Sequence, residues 1–491
     1  MNGQVRRLAV VVLAGFLALF AAPLYWQVLA APRLNADSRN TRALLKEASI
    51  QRGQMYAGDG KTVLADSVAT NDPLNRYLRR YPQGDAYGML TGYYSLTFGT
   101  SGLERAFDAY LVGKAPEQFT QNLSDYLTAK AIPGGTLVLT IDPATQKAAQ
   151  DALGPRKGAV VALDYRTGAV LAMTTFPRFD PNPLASHNPA VVRKAWTRLN
   201  ADPSTPLLNR ATQQLYPAGS TFKVITAAAA FDSGMTPDTP RPDEDTYDVP
   251  QTSADIRNFG GEHCPADKGD QVSIAQAFEV SCNTVFAHLG VDLGRQRLVA
   301  EAEKFGLNAP LGFQLPSAVS QLPADLDVPA LAQSAIGQRD VRVSPLQMAE
   351  IAATVANGGA RMRPFVVSRI VAGGAEQNTV KSFGPHQVNQ ALSGQVADEL
   401  KQVMALVVSN GTGTAAQIPG LQVFGKTGTA QNVKGKPPHA WFIGFTSSGD
   451  KTIAVAVVVE NGGNAGSEAT GGRVAAPIAK QVMQAYLGAG Q

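Results

Sequence analysis

The chain has 491 residues, 44% of them apolar and 17% charged, with a formal net charge of +4. That length leaves room for two or three domains with cores of their own, and the composition excludes a disordered chain. So small a positive excess, with no basic block longer than Arg79-Arg80, gives nucleic-acid binding no support, and that arginine pair reads as a solvated face.

Residues 8–32 carry no charge, with Arg6-Arg7 before them and Arg33 after, which is enough apolar length to cross a bilayer as a helix. The flanking charge places the N-terminus inside, and Tyr25-Trp26 fall where an outer interfacial belt would lie. A cleaved leader is the competing reading, because Val28-Leu29-Ala30 fits a small-residue cleavage pattern. From 33 to 133, short apolar runs alternate with Gly, Pro and Asp, including Tyr93-Tyr94-Ser95 and a helix-like stretch from Leu103 to Phe107. This predicts a small α+β domain. Its aromatic residues Tyr77, Tyr81, Tyr87, Tyr93 and Tyr94 read as packing rather than as a platform for sugar.

From Gly134 onward the pattern predicts a helix over 142–153, then strands over 159–163 and 170–174 joined by a hairpin turn ending in Gly168. Pro240, Pro242 and the run Asp243-Glu244-Asp245 predict a solvated loop, and 310–323 another. Gly358-Gly359 after Asn357 reads as a helix cap. Strands are expected over 421–425, 441–445 and 453–459, and a terminal helix over 474–487. Five strands from both ends of this segment would form one antiparallel sheet around an Ala-rich helical insert, giving an α/β/α domain. The expected division is 1–32, 33–133 and 134–491.

Three patterns follow one another along the insert and its exit: Ser220-Thr221-Phe222-Lys223, Ser281-Cys282-Asn283 and Lys426-Thr427-Gly428-Thr429. A serine hydroxyl is a weak nucleophile at neutral pH and needs a base within hydrogen-bond reach. In a helix beginning at Ser220, Lys223 at i+3 shares its face, and the first backbone N–H groups lie at the nucleophile. No single pattern is specific. Ser448-Gly449-Asp450-Lys451 repeats the first spacing but reads as a polar turn; Ser38-Arg39-Asn40 and Ser186-His187-Asn188 repeat the second but precede Ser220. Order and context therefore carry the signal. His187, His263, His288, His386 and His439 have no metal-ligand spacing, no phosphate-binding glycine loop is present, and no metal or cofactor is expected. Cys264 and Cys282 are the only cysteines, which leaves both a disulfide and two free thiols open.

The ordered triplet resembles the active-site signature of penicillin-binding proteins and serine β-lactamases, which carry Asp where this chain has Cys282. Leu139-Thr140-Ile141-Asp142 with Gln146, the run 158–163 with Gly168, Phe179-Asp180-Pro181-Asn182 and Asn209-Arg210-Ala211 resemble the opening of a penicillin-binding transpeptidase domain. Asn40, Arg42 and Arg52-Gly53-Gln54 with Gly60 and Leu64-Ala65 are similar to the membrane-proximal segment of the monofunctional class B members, the short actinobacterial ones above all. The resemblance covers nearly the whole chain.

It implies a penicillin-binding, serine β-lactamase-like fold behind one anchor helix and a pedestal, and D,D-transpeptidase activity on peptidoglycan stem peptides, inhibited by β-lactams. Ser220 would be the nucleophile, Lys223 the base, Ser281 a proton relay and Asn283 an orienting group. Lys426, Thr427 and Thr429 would hold the substrate carboxylate, Gly428 would let substrate lie along the strand, and the backbone N–H groups of Ser220 and Thr429 would form the oxyanion hole. A lipid-II polymerase of the RodA/FtsW type is the expected membrane partner. The alternatives are a D,D-carboxypeptidase and, more remotely, a membrane-bound β-lactamase or β-lactam sensor. A class A β-lactamase carries Glu-x-x-Leu-Asn between the last two motifs. Here the nearest match, Glu303 to Asn308, has the wrong spacing and predicts an exposed glutamate.

Overall fold

The computed structural model describes residues 2–30, 49–72, 76–121, 134–253, 255–258, 263–264, 270–373, 378–431 and 435–488. Asn40, Arg42 and the Ser38-Arg39-Asn40 pattern lie outside them. Helix α1 (Asn2–Leu24) makes up most of a helical span, Gly3–Gln27, that is long and apolar enough to cross a membrane and is exposed.

Four strands of one sheet follow, β1 (Met55–Tyr56), β2 (Val63–Ala69), β3 (Tyr77–Arg80) and β4 (Thr136–Leu139), with helix α2 (Gly102–Ala106) before β4. Helix α3 (Pro143–Leu153) is capped by Asp142, whose carboxylate accepts the Thr145 N–H at 2.8 Å, and precedes strands β5 (Gly158–Leu163) and β6 (Val170–Phe176). The helical insert contains α4 (Lys223–Asp232), α5 (Asn283–Leu293) and the central α6 (Pro345–Ala356), capped by Ser344. Strands β7 (Val367–Val371) and β8 (Thr379–Ser382) and helix α7 (Gly394–Ser409) lead to β9 (Phe424–Ala430), β10 (His439–Ser448), β11 (Lys451–Val459) and helix α8 (Ala476–Leu487).

The five-stranded sheet has the order β9-β10-β11-β5-β6, antiparallel throughout, so strands from both ends of the segment meet as the sequence predicts. Its central strands read as unbroken apolar runs because both faces are covered. Along β11, Val455, Val457 and Val459 face one core with Ala149, Ala152 and Ile478 of α3 and α8. Ala454, Ala456 and Val458 face the other, with α4, α6 and α7. That period of two is the pleat itself. Gln146 ties α3 to β6 in both directions, donating to the Met173 carbonyl at 3.0 Å and accepting the Met173 N–H at 2.8 Å.

The second sheet runs β8-β7-β4-β1-β2-β3, with β1 and β4 parallel and its other pairs antiparallel. It crosses the expected boundary at 133/134: β7 and β8 come from far along the chain and complete a sheet begun at residue 55. Beneath it, Arg79 is not solvated as expected. It is buried with Arg52 around fully buried Glu104, which accepts from Arg79 Nε at 2.6 Å, Arg52 Nε at 3.0 Å and the Tyr81 hydroxyl at 3.1 Å. Only Arg80 is exposed, paired with Asp66 at 2.7 Å. The tyrosines pack, with Tyr81, Tyr87, Tyr93 and Tyr94 all buried.

Other expectations shift. Pro240–Pro242 is a short strand paired with Gln271–Ser273 rather than a loop, and Asp243 is buried, accepting the Cys264 N–H at 2.7 Å. The strand expected over 421–425 begins at Phe424 and runs through the third motif to Ala430. Ser448 and Lys451 close the two-residue turn between β10 and β11, so the decoy spacing is a hairpin. Glu303 is exposed, as expected. Cys264 and Cys282 are joined as a disulfide, with their Cα atoms 5.9 Å apart.

Candidate active site

Ser220 sits in a 3-10 turn, Gly219–Phe222, that runs directly into α4, so the α-helix proper begins at Lys223 rather than at the serine. Two glycines hold the turn in place. Gly219 has φ +55 and donates to the Gly337 carbonyl at 2.8 Å, and a Cβ on it would stand 2.9 Å from the Thr429 carbonyl oxygen. A Cβ on Gly337 would stand 2.0 Å from the Gly219 carbonyl oxygen. The turn is thereby pressed against β9 on one side and against the end of the 328–335 helix on the other. Ahead of it, Trp441 Nε1 donates to the Pro217 carbonyl at 3.1 Å.

Lys223 is fully buried. Its Nζ donates to the Ser281 carbonyl at 2.7 Å and to Asn283 Oδ1 at 2.8 Å, and lies 3.3 Å from Ser281 Oγ. Lys426, on β9 and also fully buried, donates to Ser281 Oγ at 2.8 Å and to the Thr427 carbonyl at 3.0 Å. Two amines thus converge on one hydroxyl. Ser281 reaches this position with φ +68, a left-handed backbone uncommon outside glycine, in the turn that opens α5. Its neighbour Cys282 is tied by the disulfide to Cys264.

Burial disfavours the charged form of both lysines. It lowers Lys426 to about 7, and it holds Lys223 well below the usual lysine range, with the charge of Lys426 adding to the effect. Each Nζ also faces a ring, Phe286 at 5.6 Å for Lys223 and Phe278 at 5.5 Å for Lys426.

Ser220, Ser281, Asn283, Thr427, Gly428 and Thr429 all line one cavity of about 900 Å³. Lys223 and Lys426 stand behind its wall, reaching it through Ser281. Strand β9 is the outermost of its sheet, and its free edge borders this space. At Gly428 a Cβ would also lie 2.9 Å from the Thr221 side chain and 3.1 Å from Trp441. Its bareness lets the nucleophile turn approach the sheet.

Three supports were not legible in the sequence. The Asn258 side chain accepts the N–H groups of Asn283 at 2.7 Å and Thr284 at 3.1 Å, capping α5, while Asn283 Nδ2 donates to the Arg257 carbonyl at 3.0 Å. The Thr412 hydroxyl is 2.5 Å from that of Thr427. Gly471 and Gly472 lie against β9 and Thr412, with no room for a Cβ. Only the Gly-Thr-Gly and Gly-Gly compositions hint at close packing, and neither identifies a partner.

The penicillin binding protein transpeptidase domain matches residues 158–484, and the penicillin binding protein A dimerisation domain matches 52–137. The peptidoglycan D,D-transpeptidase PbpA of Mycolicibacterium smegmatis is 44% identical over 99% of both chains, and that of Mycobacterium tuberculosis 43% identical over 99% of both. Penicillin-binding protein A from M. tuberculosis, solved as its ceftriaxone acyl-enzyme complex, superposes with a TM-score of 0.85 at 42% identity, covering 90% of this chain and 100% of that one. Its imipenem acyl-enzyme complex gives 0.83 at 43% identity, with the same coverage. A serine at a helix start, a buried lysine pair and a motif strand at a sheet edge thus occur here with the sequence and fold of one family, and the chain belongs to the class B penicillin-binding proteins of the PbpA type.

Proposed function

We propose that this chain is a membrane-anchored D,D-transpeptidase that cross-links peptidoglycan stem peptides through an acyl-enzyme on Ser220, and that β-lactams inhibit it by stopping at that intermediate. The observation that carries the reading is the pair of buried lysines converging on Ser281 at the wall of the cavity that holds Ser220. Ser220 Oγ attacks the penultimate D-Ala carbonyl, and its proton passes to neutral Lys223. The oxyanion is held by the backbone N–H groups of Ser220 and Thr429, where losing one donor typically costs about 3 kcal/mol. Ser281 relays the proton to the departing D-Ala amine, and Asn283 orients Lys223. The Thr427 and Thr429 hydroxyls receive the terminal carboxylate, and Lys426, buried behind them, takes up a proton as that charge arrives and favours it through space. A second stem-peptide amine then attacks the ester, returning the proton by the same route.

In this reading α1 stays as a single-pass anchor with its N-terminus in the cytoplasm, residues 33–133 form the pedestal and 134–491 the transpeptidase domain outside. Nascent glycan must come from a polymerase of the RodA/FtsW type in the same bilayer, where co-anchoring raises the effective concentration. Co-purification of the full chain with that polymerase, against a chain whose first 30 residues are replaced by an unrelated membrane helix, tests the partner.

Benzylpenicillin labelling followed by mass mapping tests the catalytic assignment. The adduct is expected on Ser220 and absent from Ser448, and Lys223→Ala should abolish labelling while the fold persists. Label retained in Ser220→Ala would overturn the assignment.

A further inference from the structure

A second cavity of about 680 Å³ adjoins the first and shares three of its walls, Asn283, Gln338 and Gln431. Its character is different. Where the first is lined mainly by hydroxyls and glycines, the lining of the second includes Arg257, Arg339 and Arg342, with Asp255 as its one acidic residue.

The three arginines are not equivalent. Arg339 is already engaged by Asp327 at 3.6 Å and Asp340 at 3.3 Å, and Arg257 stands 3.8 Å from Asp255. Arg342 has no carboxylate partner among the described residues. Its Nη1 donates to the carbonyls of Arg339 at 2.6 Å and Val341 at 2.8 Å, which fixes the guanidinium without neutralising it. The backbone beneath it is equally fixed: Arg342 exchanges both main-chain hydrogen bonds with Gln321, at 3.0 and 2.7 Å, between the fully buried Val341 and Val343. A half-buried arginine that lines a cavity, with Nη1 held by backbone carbonyls and no carboxylate beside it, is a pre-organised partner for a carboxylate, and Nε and Nη2 remain for two parallel bonds. The amides of Gln333, Gln338 and Gln431 supply donors and acceptors for a peptide backbone beside it.

We propose that this second cavity is a carboxylate-recognising subsite, with Arg342 as its principal ligand and Arg257 in support, for a carboxylate-bearing peptide strand that reaches Ser220 past Asn283 and Gln338. The inference rests on the acyl-transfer reading of the first cavity. The strand can be the incoming amine-bearing peptide or the upstream part of the acylating one; both offer the same chemistry.

The test uses the full chain in detergent and a fluorescein-labelled peptide with one side-chain amine beside one free carboxylate, together with its twin in which that carboxylate is a primary amide. Binding of both is measured by fluorescence polarisation, before and after benzylpenicillin acylation. Failure of benzylpenicillin to label Ser220 would overturn the catalytic reading and is scored separately from peptide binding. The free carboxylate is expected to bind at least tenfold tighter than its amide, with the preference lost in Arg342→Gln, partly kept in Arg342→Lys, and the labelling rate unchanged in both. A preference that persists on the acylated enzyme assigns the subsite to the incoming strand, and one present only before acylation assigns it to the acylating strand. Equal binding of the two peptides in both states, or an undiminished preference in Arg342→Gln, would overturn the proposal. Should Arg342→Gln fail to label, Arg257→Gln replaces it, with at least a threefold loss of preference expected and none overturning the proposal.

Discussion

Lys223, Ser281 and Lys426 show how a chemistry becomes visible in sequence and where its visibility ends. The residue types and their order are written in the chain, but the depressed basicity is not, because it arises from burial that only packing creates. Neutral Lys426 is favoured in the folded state, while the unfolded chain protonates it up to its ordinary 10.5. Its folded value of about 7 means that the folded state binds fewer protons between about pH 7 and 10.5, so this group's penalty is full below 7 and fades as pH rises. Lys426→Met removes that penalty along with its hydrogen bonds. The stability of the variant relative to the parent should therefore be most favourable below pH 7 and decline toward pH 10, over a span on the order of a few kcal/mol. Urea unfolding across that range measures it, and a pH-independent difference would show that Lys426 is not held neutral. Asn258 and Thr412 lay beyond sequence reasoning, because each acts through one side chain on a distant motif and has no local pattern of its own.

The turn that carries Ser220 was legible as a helix start, but its 3-10 form was not, since it follows from Gly219 and Gly337 pressing it between β9 and the 328–335 helix. Gly219→Ala would bring a Cβ to 2.9 Å from the Thr429 carbonyl oxygen at a φ of +55. Moving the turn to relieve that contact shifts the nucleophile, and misplacement by about 1 Å can cost on the order of a hundredfold. Benzylpenicillin acylation should slow by at least tenfold while circular dichroism stays native; an unchanged rate would mean that the turn tolerates the side chain. The Ser281 turn has a different brace. The Cys264–Cys282 link spans 18 residues of sequence, and a loop of that size contributes roughly 3 kcal/mol by restricting the unfolded chain. Cys264→Ser should lower the unfolding free energy by up to about that amount in oxidised protein and leave the reduced protein's stability nearly unchanged. Equal losses in both redox states would place the effect on the buried Cys264 side chain instead. The strand over 424–430 was misplaced at its start because Leu421 and Val423 are apolar without being in the sheet: Leu421 pairs only with Ile418.

At the size of the whole chain, two parts were expected after α1 and two family models match successive segments there, but the way the parts are joined was not legible. Strand β7 pairs with β4 across more than two hundred residues and β8 pairs in turn with β7, and no periodicity in 367–382 announces which edge those strands will find. The consequence is structural dependence. Strand β4 lies between β7 and β1 in a single sheet, and Gly53 and Gly134 pack so closely that a Cβ on Gly53 would stand 1.9 Å from the Gly135 carbonyl oxygen. A chain beginning at Gly134 would lose β1, β2 and β3 together with the Arg52-Glu104-Arg79 cluster, leaving β4 as an unpaired edge with Leu137 and Leu139 uncovered. Exposed apolar edges invite pairing with other chains. Such a chain should aggregate or melt well below one beginning at Ser49, by 10 °C or more if each lost kcal/mol lowers the melting temperature by about 2–4 °C. Differential scanning calorimetry of the two proteins, each labelled with benzylpenicillin to report an intact Ser220 site, compares them directly. Equal melting temperatures would show that the five-stranded domain stands alone and that the shared sheet is only an attachment.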